Sequence, residues 1–348
     1  MRSFSFTNQT AHALAAGVDG DGILALQWQR DATPENTAVD YTAPEGTWLG
    51  YDIGENLRDI QPLRRGFAGI GYVGGSQGEY TVRFLTGCCV AYDVEVHRAW
   101  GFPFVATDPS NSGLVVAGRF SDDYVSPAQA KARWMDHGTP PSPLASVPLA
   151  STEPIMVAGM DMDGNMLVIF NGHVAGELEA QWFSPGARPL TGLFAWMTGF
   201  VPGPDTWLEM TGSLGGGILI TRFDAGNLGR DVHARHLCQI ATGGTTCQAL
   251  PQWMENRPDT RLRVVRGGLA WAAFTTQGEG VDCSDTIEIV APDGTSCGST
   301  ELRMAPGTCD RLGLTIGPEG TVVQTLPRGV PMPNGDDIGW RWWPRMLH

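Results

Sequence analysis

Two short glycine-rich runs in the first quarter of the chain have spacings that catalysis could use. "GGSQG", residues 74–78, matches the G-x-S-x-G turn that lifts a serine nucleophile, here Ser76, out of a strand and into a helix. Such a serine needs an acid and a histidine further along; His173, His233 and His236 follow, but no acid can be assigned to them. Overlapping it, "GIGYVG", residues 69–74, has the spacing of a dinucleotide-binding fingerprint, which requires a helix whose N-terminus holds a pyrophosphate. The sequence that follows is not helical in pattern, so glycines in a strand and its exit turn explain both runs more simply.

Oxygen-rich and thiol-rich runs raise metal and redox chemistry. "DGDG" at Asp19 and "DMDGN" at Asp161 begin like calcium loops but lack the downstream bidentate glutamate. Both fall where a hairpin is expected, and Asp-Gly suits a two-residue turn there, so no cofactor is expected, with calcium the one alternative. His233 and His236, three apart on an expected strand, face opposite sides and need a bulge to share zinc. Of seven cysteines, Cys238 and Cys247 have a geometric argument. A hairpin turning at Thr242 and Gly243 sets them directly opposite, where a disulfide can form; the alternative is a pair of small buried thiols. The bond would imply an oxidising compartment.

The elements that hold these residues are strands. The 348 residues are 42% hydrophobic and 17% charged, with 46 Gly and 24 Pro breaking up short apolar runs. The net charge of -14 disfavours nucleic acid and anionic lipid as partners, because both need a basic surface. No run approaches the roughly 20 apolar residues of a membrane-crossing helix. The N-terminus, "MRSFSFTNQTAHALAAG", lacks a continuous apolar signal core. The expected location is extracellular or periplasmic with any signal already removed, the alternative being cytoplasmic.

A triplet of apolar, polar and bulky residue recurs: Val39-Asp40-Tyr41, Val82-Arg83-Phe84, Ala132-Arg133-Trp134, Ala180-Gln181-Trp182, Ala234-Arg235-His236, Ile287-Glu288-Ile289 and Trp340-Arg341-Trp342. A second series of apolar runs passes through Ile23, Ile70, Leu114, Leu167, Ile218, Leu269 and Val322. Both give seven units of about fifty residues. Each parses as four antiparallel strands, most clearly "IMVAGMD", "MLVIF", "ELEAQWFS" and "PLTGLFAW". On this pattern the chain resembles the β-propeller superfamily, and its Trp-bearing strands and terminal "WRWWP" are similar to uncharacterised secreted bacterial propeller-like repeat proteins. The resemblance implies an all-β, seven-bladed propeller forming a single domain, with six blades as the alternative. The blades run approximately over residues 10–55, 56–104, 105–152, 153–203, 204–257, 258–305 and 306–348. The last unit lacks its outermost strand, which "RSFSF", residues 2–6, can supply to close the ring.

In such blades the second connection of each unit emerges at one end together with the crossovers. Those seven connections carry Asp31, Glu35, Glu79, Asp122, Asp123, Asp224, Asp231, Glu279, Asp282, Asp285, Asp336 and Asp337 against only Arg30, Arg230 and Arg328. A surface of one sign concentrates oppositely charged ligands. The crossovers "RAWGFPF" and "TGFVPGPDTW" add aromatics. Trp100, Asp122, Asp123, Asp205, Asp336 and Asp337 are the candidate binding residues. The function expected is non-catalytic binding, by a monomer, of a protein, glycan or cation. The enzyme alternative is a hydrolase or lyase with carboxylate or metal-assisted chemistry at the channel mouth.

Overall fold

The computed structural model describes residues 2–6, 11–30, 37–53, 57–72, 80–85, 91–96, 99, 103–107, 114–135, 143–198, 206–225, 232–249, 261–265, 270–277, 284–291, 295–303, 314–317, 320–325 and 338–347, apart from positions 46, 64, 122, 124, 162, 186, 215, 216, 242 and 243. No helix occurs among the described residues. Their strands form seven four-stranded antiparallel sheets. The chain divides into two compact units, the first comprising Met1–Val73, Thr81–Val94 and Asp259–His348, the second Gly74–Tyr80 and Glu95–Pro258.

In the first unit, β1 (Arg2–Phe6) stands apart from the three strands it joins. One sheet runs in chain order through β2 (Ala11–Val18), β3 (Leu24–Arg30), β4 (Thr37–Thr42) and β5 (Trp48–Ile53). The next has β6 (Leu57–Pro62), β7 (Phe67–Tyr72), β8 (Tyr80–Leu85) and β9 (Ala91–Val96). In the second unit come β10 (Phe104–Thr107), β11 (Leu114–Phe120), β12 (Gln129–Met135) and β13 (Pro143–Pro148). They are followed by β14 (Ile155–Met160), β15 (Met166–Asn171), β16 (Glu177–Phe183) and β17 (Phe194–Thr198). The third sheet there holds β18 (Thr206–Leu214), β19 (Gly217–Ala225), β20 (Val232–Ala241) and β21 (Gly244–Ala249). Back in the first unit are β22 (Arg261–Val265), β23 (Ala270–Gln277), β24 (Ser284–Val290) and β25 (Ser296–Arg303). The last sheet has β26 (Leu314–Ile316), β27 (Val322–Thr325) and β28 (Ile338–Trp343), and β1 completes it.

Packing explains why these runs are strands. In β15 the period-two alternation sorts Met166, Val168 and Phe170 to one face and Leu167 and Ile169 to the other, yet all five are buried. The first set packs with Val115, Ala117, Ala132 and Trp134 of the β10–β13 sheet. The second packs with Leu178, Ala180 and Trp182, and with Trp196 alongside. A strand covered on both faces reads as a continuous apolar run. In the first unit Ala25, Val39 and Tyr41 meet Leu57, Ile60, Phe67 and Leu85 of the adjoining sheet, with the Tyr41 and Phe67 rings stacked 6.4 Å apart. Val265, Ala272, Ile287 and Ile289 meet Leu314, Ile316 and Val322 in the same way.

All seven triplets fall in the third strand of their sheets: β4, β8, β12, β16, β20, β24 and β28. The middle, polar residue is buried at Asp40, Arg133, Gln181 and Glu288. Asp40 accepts a 3.0 Å bond from Trp48 Nε1, and Gln181 donates at 3.2 Å to the Thr191 carbonyl. Where this polar position is buried, at Asp40 and Gln181, it is a hydrogen-bonding site.

The hairpin turns depart from the two-residue form that Asp-Gly suggests. Asp19 N–H donates to Ile23 O at 3.0 Å and Gly22 N–H to Asp19 O at 3.0 Å, with Gly22 at φ +83°. The same pair of bonds joins Asp161, Gly164 and Asn165, and again Gly317, Gly320 and Thr321. These are three-residue loops ending in a left-handed bulge position, which glycine occupies without a Cβ clash. Asp-Gly serves either turn, so dipeptide composition alone cannot choose between them.

The N-terminal segment pairs as its sequence suggests: Arg2 lies opposite Trp342 and Phe6 opposite Ile338. Removing residues 1–8 leaves β28 as an unpaired edge and is expected to lower the melting temperature, each kcal/mol lost being worth roughly 2–4 °C or less in a chain of this length. Thermal unfolding followed by circular dichroism checks this; an unchanged midpoint would mean the pairing carries no stability.

Candidate functional site

Two of the acidic second connections are described, both in the second unit and on neighbouring sheets. Trp134, near the end of β12, packs edge-on against Phe183 at the end of β16, ring centroids 6.2 Å apart. The third-connection ends of the two sheets therefore coincide, and the β11–β12 and β15–β16 loops both emerge at the opposite end, as up-and-down strands require.

The β11–β12 loop is organised by Asp123. Its carboxylate accepts from Val125 N–H at 2.8 Å, Ser126 N–H at 2.5 Å and Ser126 Oγ at 3.0 Å. These bonds to the ionised form hold its pKa below the ordinary carboxylate value. The loop so fixed leaves Val125 86% exposed. Beneath it, Phe120 is buried with Lys131 Nζ 5.3 Å and Arg133 Cζ 5.2 Å from its ring centroid, within cation–π range.

The β15–β16 loop closes through Gly172 N–H to Glu177 O at 2.8 Å and Glu177 N–H to Val174 O at 3.0 Å. A Cβ on Gly172 would come within 2.6 Å of the Glu177 carbonyl oxygen, so this close approach requires glycine. Val174 is left exposed. His173 Nδ1 lies 2.7 Å from Glu179 Oε2. That hydrogen bond, then the charges of Glu179 and of Glu153 on the crossover before β14, raise the His173 pKa above its ordinary value.

Of the predicted binding residues, Asp123 is placed by the structure, and its oxygens are turned onto its own loop. Trp100, Asp122, Asp205, Asp336 and Asp337 lie outside the described residues, as does Ser76. Asp285 is corrected: counted with the exposed loop acids, it sits in β24, fully buried, and accepts a 2.6 Å bond from Gln324 Nε2. Gly69–Tyr72 form part of β7, paired with β6. The His173–Glu179 pair was not read from the sequence. Its signal is a six-residue spacing that spans a loop closed by Gly172 and Glu177.

The two calcium-like runs resolve into turns. Asp161 Oδ1 accepts from Asp163 and Asn165 N–H, and its Oδ2 from Asn165 Nδ2. Asp19 Oδ1 accepts from Asp21 and Ile23 N–H, while Oδ2 reaches across to Gly66 N–H at 2.7 Å in the β6–β7 hairpin. Gly20 N–H donates in return to Leu63 O at 3.1 Å, so two hairpins of adjacent sheets are clasped. Burial pushes the Asp19 pKa up to about 6, against the pull of its backbone donors, and raises that of Asp161 as well.

No protein-family profile matches the chain, and no curated protein matches it by sequence. Solved structures do match in fold. Hydrazine synthase from Kuenenia stuttgartiensis superposes with a TM-score of 0.55 at 11% identity, covering 93% of this chain and 94% of that one. Apo prolyl oligopeptidase B from Galerina marginata gives 0.51 at 12% identity over 92% of this chain, which spans 48% of the length of that protein. At such identities the likeness shows fold alone, a propeller-like arrangement of antiparallel sheets.

Two titrations follow from this geometry. Because its folded pKa is raised, Asp19 favours the folded state most below its unfolded value near 3.8, and that contribution is lost as pH rises through about 6. The melting-temperature advantage of the wild type over Asp19→Asn should therefore be largest near pH 4 and shrink toward pH 7; a difference independent of pH would contradict it. For His173, an NMR titration should give a pKa above the ordinary imidazole value, falling toward it in Glu179→Gln; an unmoved midpoint would show the pair is not formed in solution.

Proposed function

We propose that the chain is a seven-bladed β-propeller, closed by its N-terminal strand, that works by binding and not by catalysis, as a monomer outside the cytosol. Its acidic end holds a protein segment that is both basic and apolar. The observation that carries this reading is the pair of rigid loops on adjacent sheets, each presenting an exposed valine, Val125 or Val174, beside carboxylates. Asp123 and Glu179 are engaged in fixing those loops, which suits display of a surface better than acid–base turnover or cation ligation. The net charge of -14 supplies long-range attraction for a basic partner, and the exposed valines beside those carboxylates supply apolar contact area. A glycan would need stacking aromatics at this end, and Trp100 is the residue that would offer one.

The test uses a basic amphipathic peptide as probe, with calcium alone and neutral oligosaccharides as comparators, read by calorimetry. The peptide should bind, weaken with added salt, and lose about tenfold in affinity when Val125 and Val174 are both changed to Arg, a loss equivalent to about 1.4 kcal/mol. Undiminished affinity in that variant, binding of calcium or sugar in place of the peptide, or turnover of an ester or glycoside abolished by Glu179→Gln would each overturn the reading.

A further inference from the structure

Strands β20 and β21 are joined by a connection of two residues, since Ala241 pairs with Gly244. That short connection fixes more than the register. In an antiparallel pair, hydrogen-bonded and non-hydrogen-bonded positions alternate, and the pair flanking a two-residue connection is a hydrogen-bonded one. Counting back, Ile240 and Thr245 are non-hydrogen-bonded, Gln239 and Thr246 hydrogen-bonded, and Cys238 and Cys247 non-hydrogen-bonded. At such positions the Cα atoms of opposed residues lie about 4.5 Å apart, and a disulfide spans roughly 4.4–6.8 Å.

The place of the pair in the sheet gives the bond something to do. The order β18-β19-β20-β21 leaves β21 at the edge, hydrogen-bonded within its sheet to β20 alone. An edge strand on a two-residue connection separates from its sheet more readily than a central one, and a cross-link three residues from the turn fixes its register. Cys297 provides the contrast. It lies on β25, which also ends its sheet, but at a register shift where Ile289 pairs with Gly298 and Val290 with Ser296, so no residue stands opposite it. It is an exposed free thiol.

We propose that the juxtaposition of Cys238 and Cys247 on β20 and β21 is a thiol–disulfide exchange site, oxidised in the working protein to a cross-strand bond that clamps the edge strand to its sheet. The reaction is a two-step exchange. The thiolate of one cysteine attacks a low-molecular-weight disulfide, forming a mixed disulfide and releasing one small thiol. The second cysteine then attacks its partner's sulfur, forming the protein S–S bond and releasing the other small thiol. The two cysteines together lose two electrons and two protons, and the small disulfide gains them.

The experiment keeps the full chain folded in oxidised glutathione, alkylates it without reductant and digests it with trypsin. Arg235 precedes both cysteines and the next arginines, Arg257 and Arg261, follow both, so one peptide carries the pair. It should be recovered unalkylated and two hydrogens lighter than after dithiothreitol. A peptide bearing two alkyl or two glutathione groups, or one bonded to a different peptide, overturns the proposal. Thermal unfolding supplies a second readout: Cys238→Ser, Cys247→Ser and the double variant should lose the same increment of melting temperature, and dithiothreitol should remove that increment from the wild type alone. Losses that add in the double variant would mark two independently packed thiols and overturn it equally.

Discussion

A β-sheet with apolar side chains on both faces cannot face water on either, and the rest of this structure answers that constraint. In β15, Met166 to Phe170 are all buried although successive residues point to opposite faces. At about 25 cal/mol for each Å² of apolar surface removed from water, leaving either face of such a sheet uncovered would cost more than a domain's net stability. The β14–β17 sheet therefore needs neighbours on both sides. The same need accounts for sheets that follow one another in the chain packing face to face within each unit, while β1 answers a different one by pairing the open edge of β28.

The architecture was legible because the constraint repeats. A third strand that must be buried on both faces keeps a bulky apolar residue at a fixed place, so Tyr41, Phe84, Trp134, Trp182 and Trp342 mark it from sequence alone. The β20–β21 hairpin was legible for a different reason: its two-residue connection follows from Thr242-Gly243, and the strand partners follow from the connection. The turns at Asp19 and Asp161 were misread, since their identity depends on which residue takes positive φ, the third loop residue, Gly22 or Gly164, and an Asp-Gly dipeptide does not show how many residues the loop holds. Asp285 was misread because "CSDT" looks like a loop, whereas its partner Gln324 is 39 residues away and leaves no local trace.

The candidate site was less legible than the fold, and electrostatics shows why. Counting acids along a sequence gives a charge but not where each carboxylate is directed. Asp123 is ionised and accessible in composition, yet its lone pairs are directed to Val125 and Ser126. Glu179 is directed to His173. Short-range hydrogen bonds to a carboxylate leave its long-range field intact while removing it as a direct ligand. What these two loops expose beside their engaged carboxylates is apolar, at Val125 and Val174.

The turn position shared by Asp19, Asp161 and Gly317 shows how one hairpin geometry is adapted to different neighbours. All three make the same two backbone bonds. At Asp161 the side chain is used locally, on Asn165; at Asp19 it crosses to Gly66 and ties two sheets together. At position 317 no side chain fits, because a Cβ would lie 2.8 Å from Val18 Cγ1 of β2, the strand beginning the next sheet. There the contact between sheets is direct backbone against valine, closer than an aspartate clasp would allow. The backbone of the turn is thus common to these three hairpins, while the residue at its first position goes with the neighbouring sheet: carboxylate where there is a gap to bridge, glycine where there is none.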